Sequence, residues 1–599
     1  MGVTCPACGS FAQDAEFCDH CNADLSPPAD AAPPTFCPLP GEDPVALTPE
    51  ESRLLEAPEL AVQIVGRLGS WRAHWLPGTV WERTRDAIMD RRTRSASALP
   101  PIQVVEEARG AWVLAEVRGV PARPWEATVP ENPLDDLRDL CRFLKVLAGE
   151  LESLHEQQLA WLTFDPREME WIEGSDTPIG ASLRFTNLDL EVYPARRLPP
   201  QLPALAVFAP PEVSRFQAQD IGPATDVYHL ALFAYYWLAG LLPDGFTGNG
   251  LEAFSHAIPP LRNYRRDLPP GVAGAIARGL AFDPRHRFPS PGAFSDAMEK
   301  ALRRNVQRAA SRTPVAWEVG GHTRTGRAKL ALDRDNEDHM LVRSFHQPER
   351  ALLTVADGIT TCEVGSGAIA SLVTCLMLEN EFDARTTAES FASRIGDLCR
   401  RGAENLLAWA IENGYRRQLE QGMDLMGTTL LAGWIEGNTL TLANVGDSRA
   451  YLIDGNTVEQ LTVDGDLGNE LLAARVPPEE VRSLGIMARG LRDCVGGCTV
   501  AADGSLAVLE DYFEPTLSRW TLLPGDVIVL CSDGLIEEGA YLEPEQMAEI
   551  IRSRAHLPAE TLAMQLCDAA DLVQRLPSLK EPEGFGDNIT CIVVKINKA

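Results

Sequence analysis

The sequence predicts a multidomain protein that ends in a domain built on buried strands, and three observations carry this. The chain has 599 residues, 45% of them hydrophobic, enough for about three or four domains with cores of their own. Four of its 14 cysteines stand as two close pairs near the amino terminus, and the other ten are scattered. Three aliphatic runs in the carboxyl-terminal half each carry an acid at one end. They are Leu353 to Ala356 followed by Asp357-Gly358, Val527 to Cys531 followed by Ser532-Asp533-Gly534, and Cys591 to Val594 preceded by Gly586-Asp587-Asn588-Ile589-Thr590. Continuous aliphatic runs read as strands buried on both faces. A carboxylate at the mouth of such a strand is expensive to desolvate unless something positive binds it. Three of them suggest a shared cation, and carboxylate oxygens favour hard divalent ions such as Mg²⁺ or Mn²⁺.

The first element is the cysteine cluster. Cys5-Pro6-Ala7-Cys8 and Cys18-Asp19-His20-Cys21 are CxxC pairs separated by nine residues. Cys5, Cys8, Cys18 and Cys21 can give four thiolates to one structural Zn²⁺, and so short a segment has no other way to build a core. His20 is a bystander. The segment resembles a small zinc ribbon over residues 1–25, an adaptor rather than a catalyst. Residues 26–58, rich in Pro and Ala, read as a linker. A second linker is expected at 304–315, where Arg303, Arg304, Arg308 and Arg312 cluster and read as a solvated helix end rather than a docking site.

Between the linkers, residues 59–303 resemble a bilobal α+β protein kinase. Ala209-Pro210-Pro211-Glu212 is similar to the kinase Ala-Pro-Glu motif, and Ala224-Thr225-Asp226-Val227 to the start of the long buried helix after it. Ala281-Phe282-Asp283-Pro284-Arg285-His286-Arg287 is similar to the late arginine segment. The resemblance implies that Glu212 pairs Arg287 and that Asp226 supports the catalytic-loop backbone. Catalysis is not expected. Thr163 stands where the base aspartate belongs, Glu168 replaces the metal-binding asparagine, and Asn187-Leu188-Asp189 replaces Asp-Phe-Gly. No lysine precedes Lys145 to hold a nucleotide phosphate, and phosphoryl transfer needs all these parts together. A pseudokinase is the reading.

Composition narrows the partners. With 54 basic and 85 acidic residues the formal net charge is −31, which argues against nucleic acid or an anionic membrane as the main partner. The longest apolar run, Leu230 to Leu242, is short for a bilayer and reads as a core helix. No amino-terminal apolar leader is evident, and the cysteine usage suits a reducing compartment. A cytoplasmic location is the expectation.

The carboxyl-terminal motifs resemble, in order, those of the metal-dependent serine/threonine protein phosphatases of the 2C family. They run from Asn336-Glu337-Asp338 and Val355-Ala356-Asp357-Gly358 through Gly427-Thr428-Thr429-Leu430 and Asn444-Val445-Gly446-Asp447-Ser448-Arg449. Leu461-Thr462-Val463-Asp464, Gly525-Asp526 with Ser532-Asp533-Gly534, and Gly586-Asp587-Asn588 follow. The resemblance covers residues 316–599 and implies an α-β-β-α sandwich. It implies two Mn²⁺ or Mg²⁺ ions, with Asp357 bridging them and the Gly358 carbonyl contributing. Asp533 and Asp587 complete the first site, Glu337 and Asp338 serve the second, and Asp447 is a candidate for a third ion. Asp526 is expected to be a turn residue only.

Departures matter too. The family's phosphate-gripping arginine falls on Asp333, with Arg334 one residue late and a candidate through a one-residue bulge. Ile359-Thr360-Thr361 replaces the Met-Gly-Gly that follows Asp-Gly, and Asp466 to Val500 suggests a flap. The expected activity is hydrolysis of phosphoserine and phosphothreonine in proteins. The pseudokinase and zinc ribbon would recruit substrates or a kinase, or gate access to the site. The competing expectation is a double pseudoenzyme acting as a signalling scaffold.

Overall fold

The computed structural model describes residues 258–599 apart from 266, 347–348, 456, 537–540, 575–585 and isolated positions between 475 and 512. Before residue 258 it describes chiefly 71–78, 102–116, 133–163, 210–214 and 220–240, with shorter pieces elsewhere. Cys5, Cys8, Cys18 and Cys21 lie outside the described residues, as do Glu168 and Asn187. Gly2–Thr4 and Phe11–Gln13, the strands around the first cysteine pair, form an antiparallel hairpin. The chain divides into two compact units. One holds Met1–Ile258 and Ile276–Glu299, the other Pro259–Ala275 and Lys300–Ala599.

In the first unit, four antiparallel strands between Val62 and Glu116 form one sheet. Trp75 and Trp112 pack in its core with ring centroids 5.1 Å apart and planes tilted by 58°. A largely helical part follows. Helix Pro133–Glu156 packs on helix Pro223–Ala239, whose buried face runs almost all round, as its apolar sequence predicts. Among the described residues no helix is long and apolar enough to cross a membrane.

Two buried ionic contacts brace this helical part. Arg287 makes a bidentate pair with Glu212, at 2.8 and 2.9 Å, with both side chains essentially excluded from solvent. This is the pairing expected from the motifs. Asp226, fully buried, accepts from His155 Nε2 at 2.7 Å and lies 3.2 Å from His229 Nδ1. Burial works against its carboxylate, yet these histidines hold its pKa below the usual range. Thr163 and Asp189, the positions aligned with the kinase base and metal aspartate, face each other across a two-stranded ladder.

The second unit contains two five-stranded antiparallel sheets, with strands numbered here in chain order. They are β1 (Val315–Arg324), β2 (His339–His346), β3 (Glu349–Ala356), β4 (Leu430–Glu436), β5 (Thr439–Val445), β6 (Arg449–Asp454), β7 (Thr457–Gln460), β8 (Thr516–Thr521), β9 (Asp526–Cys531) and β10 (Ile589–Lys598). One sheet has the order β1-β10-β9-β6-β7 and the other β2-β3-β4-β5-β8. Side chains alternate between faces along each strand, and here both faces are buried. Ile528, Leu530, Ile592 and Val594 point to the inter-sheet core with Leu353, Val355, Leu431 and Leu442. Their neighbours Val529, Cys531, Cys591 and Val593 point outward onto helices Pro544–Ser553 and Ala559–Val573. Leu352, Trp434 and Ala443 point outward from the other sheet onto helices Gly367–Glu381 and Ala388–Glu412. Each fully buried large aliphatic or aromatic contributes about 1.5–3 kcal/mol. The result is an α-β-β-α sandwich, as expected, and it explains why its strands read as unbroken aliphatic runs despite being antiparallel.

The expected linker at 304–315 needs correction. Helix Pro291–Ala310 runs through its first half, and strand β1 begins at Val315. Arg308 is buried, 2.5 Å from Asp526 and 3.4 Å from Asp454, and Arg304 reaches the same two carboxylates at 2.8 and 2.6 Å. Asp526 is therefore more than a turn residue: it is fully buried and also accepts from the Leu523 N–H. The arginine cluster reads as solvated only while its partners, far along the chain, are unknown.

Candidate active site

The acids picked out by sequence converge at one end of the sandwich, each placed by its own strand. Asp357 follows the last residue of β3, and Gly427-Thr428-Thr429 fixes it. Thr429 Oγ1 accepts from the Asp357 N–H at 3.0 Å, while the Thr429 N–H and Thr428 Oγ1 both donate to the Asp357 carbonyl at 2.8 Å. Ser448 Oγ lies 2.8 Å from Thr429 Oγ1 and ties in the Asn444 to Arg449 motif. The threonine pair thus serves as a backbone clamp on Asp357.

Asp338 opens β2 and is buried. Its backbone N–H donates to Asn336 Oδ1, and Ser532 Oγ donates to its carboxylate at 2.8 Å. The Ser532 hydroxyl also accepts from the Thr590 N–H, and the Ser532 N–H donates to the Thr590 carbonyl. Three motifs distant in sequence are thereby joined through one serine. Gly534 permits the approach, since a Cβ there would stand 1.9 Å from the Asn588 carbonyl oxygen. Asp587 accepts from the Asn588 N–H, and Gln574 Nε2 donates to its carbonyl at 2.7 Å.

Electrostatics join the acids more tightly than their motifs do. Burial pushes the Asp357 carboxyl well above the usual range, and Asp338, Asp533, Asp587 and Asp447 push it further the same way. Burial likewise pushes Asp338 up to about 6, with Asp587 adding to it. Asp447 is also raised to about 6, by burial and then by Asp464. Asp464 is itself clamped by Arg449 at 2.6 Å. Mutually repelling carboxylates at strand mouths are stable as anions only with cations nearby.

A residue that sequence reasoning passed over supplies one such cation. Lys329 Nζ lies 3.0 Å from Asp587 Oδ1, 3.4 Å from Glu337 Oε2 and 2.9 Å from Thr360 Oγ1, with its side chain 7% exposed. Thr360 Oγ1 donates in turn to Glu337 at 2.6 Å. Burial works against the Lys329 ammonium, but Asp587 and Glu337 outweigh it and hold its pKa above the usual lysine value. Lys329 belongs to the short helix Arg327–Ala331. That helix ends with the Asp333 N–H donating to the Leu330 carbonyl and the Arg334 N–H donating to the Lys329 carbonyl. Asp333 there adopts φ +54°, the left-handed closure common at helix ends. The turn leaves the Arg334 side chain exposed. At the other end of the helix, a Cβ on Gly326 would meet the Asp587 carbonyl oxygen at 1.8 Å, so glycine is what lets the helix sit against the Asp587 strand.

The donor set is all oxygen and strongly anionic, which fits hard divalent ions. Among the described residues, no three His, Cys, Asp or Glu side chains already stand in a metal-holding arrangement. The acids therefore fit a cation in chemistry and in convergence, without a preformed cage. The segment Asp466 to Val500, expected to form a flap, carries two short helices, Leu467–Ala473 and Pro478–Ser483.

Two sheets between helices, with carboxylates gathered at the strand mouths, make an α-β-β-α domain with an acidic site at one end. Residues 325–570 match the protein phosphatase 2C family model, and the carboxyl-terminal region is a domain of that family. The serine/threonine protein phosphatase PstP of Mycobacterium tuberculosis is 28% identical over 246 residues, covering 41% of this chain and 40% of that protein. The serine/threonine phosphatase stp of Listeria welshimeri is 28% identical over 286 residues, covering 46% of this chain and 94% of that one. The chain thus spans well under half the length of the mycobacterial relative. Among solved structures, the Mycobacterium tuberculosis phosphatase PstP/Ppp aligns over 47% of this chain and 99% of its own, at 24% identity and TM-score 0.34.

Proposed function

We propose that this chain is a metal-dependent phosphoprotein phosphatase acting on phosphoserine and phosphothreonine. The observation that carries the reading is a cluster of strand-end carboxylates, far from neutralised by the chain itself, inside a protein phosphatase 2C domain. Glu337, Asp338, Asp357, the Gly358 carbonyl, Asp533 and Asp587 would hold two Mn²⁺ or Mg²⁺ ions, and Asp447 is the candidate for a third. Bound ions of this kind supply a deprotonated water and neutralise charge on the phosphoryl oxygens. The chain's own residues do the positioning. Thr428 and Thr429 fix Asp357, Ser532 orients Asp338, and Gln574 holds the Asp587 backbone.

Residues 59–303 are proposed as a pseudokinase with a zinc ribbon ahead of it at residues 1–25, recruiting a phosphorylated substrate or the kinase that made it. The buried Glu212–Arg287 pair supports a retained kinase-type scaffold, and the absence of any lysine before Lys145 argues against phosphoryl transfer. One Zn²⁺ on Cys5, Cys8, Cys18 and Cys21 and a cytoplasmic location complete the proposal.

The exposed Arg334 favours a second reading, a double-pseudoenzyme scaffold that keeps the fold without turnover. An assay of the purified full chain on a phosphothreonine peptide with Mn²⁺ separates the two. Turnover that requires the metal and vanishes in Asp533→Asn supports the phosphatase. No turnover with Mn²⁺ or Mg²⁺ leaves the scaffold.

A further inference from the structure

We propose that Lys329 is the cation that holds the substrate phosphate in this site, in place of the exposed Arg334. This deepens the phosphatase reading and rests on it. A phosphate monoester reaching a nest of carboxylates meets strong like-charge repulsion, so the site needs fixed positive charge of its own besides bound ions. Among the described residues the ammonium placed inside the cluster is that of Lys329, in contact with Asp587, Glu337 and Thr360.

Its placement is built rather than incidental. Gly326 seats the short helix on the Asp587 backbone, the turn through Asp333 ends it, and Thr360 bridges the ammonium to Glu337. An ammonium carries three donors and no acceptor, and here three oxygens surround it. Asp587 and Glu337 are also candidate metal ligands. Once those carboxylates are committed to divalent ions, two of the three donors are left for another anion in the same place, and a phosphoryl oxygen fits that description. The turn that positions Lys329 leaves Arg334 exposed: its N–H closes the helix on the Lys329 carbonyl, and its side chain lies in solvent rather than among the carboxylates that Lys329 contacts.

The test uses the full chain and two probes, inorganic phosphate and Mn²⁺, read by calorimetry. Lys329→Met should weaken phosphate binding to the Mn²⁺-loaded protein at least about tenfold, the value of one charge-assisted contact. It should leave Mn²⁺ affinity within about threefold, and in turnover it should raise KM for a phosphopeptide. Lys329→Arg should recover part of the phosphate affinity. Lys329→Gln keeps a donor toward Asp587 and covers the case in which the methionine variant fails to fold. Arg334→Met should weaken phosphate less than Lys329→Met does.

Unchanged phosphate affinity in both Lys329→Met and Lys329→Gln overturns the assignment. Tighter Mn²⁺ binding with phosphate unaffected would make the lysine a mere stand-in for a metal, and also overturns it. A chain that binds phosphate through Lys329 but hydrolyses nothing would sink the phosphatase reading and leave this assignment standing. Turnover with lysine-independent phosphate binding would do the reverse.

Discussion

Two acidic clusters in the second unit sit at strand ends and differ in one respect, whether the chain supplies its own counter-charge. Asp454 and Asp526 close β6 and open β9, and two arginines of the preceding helix, Arg304 and Arg308, grip both. That cluster is balanced, two carboxylates to two guanidiniums, and nothing else need bind. At the other cluster, among the described residues, the ammonium of Lys329 contacts Asp587 and Glu337, while Asp338, Asp533, Asp587 and Asp447 all push the Asp357 carboxyl upward. Buried carboxylates with matched arginines make structure, whereas the same residues left in excess make a site that waits for cations. The teaching is that strand-end acids alone do not mark function; the uncompensated charge does.

The largest expected effect breaks the comparison from the functional side. Asp357→Asn or Asp533→Asn should reduce metal-dependent hydrolysis by more than the ~100-fold typical of residues one layer out from a metal. The same variants should leave the metal-free protein as stable as the parent or more so, because each removes a mutually repelling charge. Steady-state kinetics beside a thermal melt in chelator checks both halves. A variant that lost activity only because it unfolded would place Asp533 with Asp526.

At the structural cluster the expectation reverses. Arg308→Met leaves Asp526 buried with only Arg304 beside it and should destabilise the protein by about 3 kcal/mol, read by urea denaturation. Adding Asp526→Asn should restore much of that loss, since the unpaired charge goes with it. A Mn²⁺-dependent rescue of Arg308→Met would mean that this pocket, too, recruits metal.

A third test concerns pH. Glu459 in β7 faces Arg262 at 3.7 Å, and Arg308 also bears on it. Burial pushes its carboxyl up to about 8 in spite of both arginines. A carboxyl raised in the folded state contributes stability that is full below its unfolded value near 4.5 and lost as pH rises through about 8. Stability should therefore fall over that interval, and Glu459→Gln should flatten the decline. An identical pH profile for parent and variant would sink the assignment. The smallest effect is expected at Asp333, which holds φ +54°. Asp333→Gly should raise stability by about 0.5–1 kcal/mol by relieving a left-handed backbone, with little change in phosphate binding if Lys329 stays in place.

The motif residues were legible because each rule acts locally. An apolar run predicts a buried strand, and an acid at its end predicts a desolvation problem, so Asp357, Asp533 and Asp587 could be singled out before any coordinates, and the family resemblance added Glu337 and Asp338. The order of the motifs added the sandwich and its two layers of helices. Glu212 and Arg287 were paired the same way, through motif context.

Arg308 and Lys329 were not legible. Read as sequence, Arg308 sits in a basic stretch with the look of a solvated helix end, and its partner Asp526 lies 218 residues away behind a turn-like Pro-Gly. Lys329 lies in a five-residue helix that no periodicity announces, one turn before an arginine that draws attention by its type. The chain by itself determined which groups carry charge and which strands bury them. Only the folded form decided which charges meet, because an ion pair depends on distance in space and burial, and neither quantity is written along the backbone.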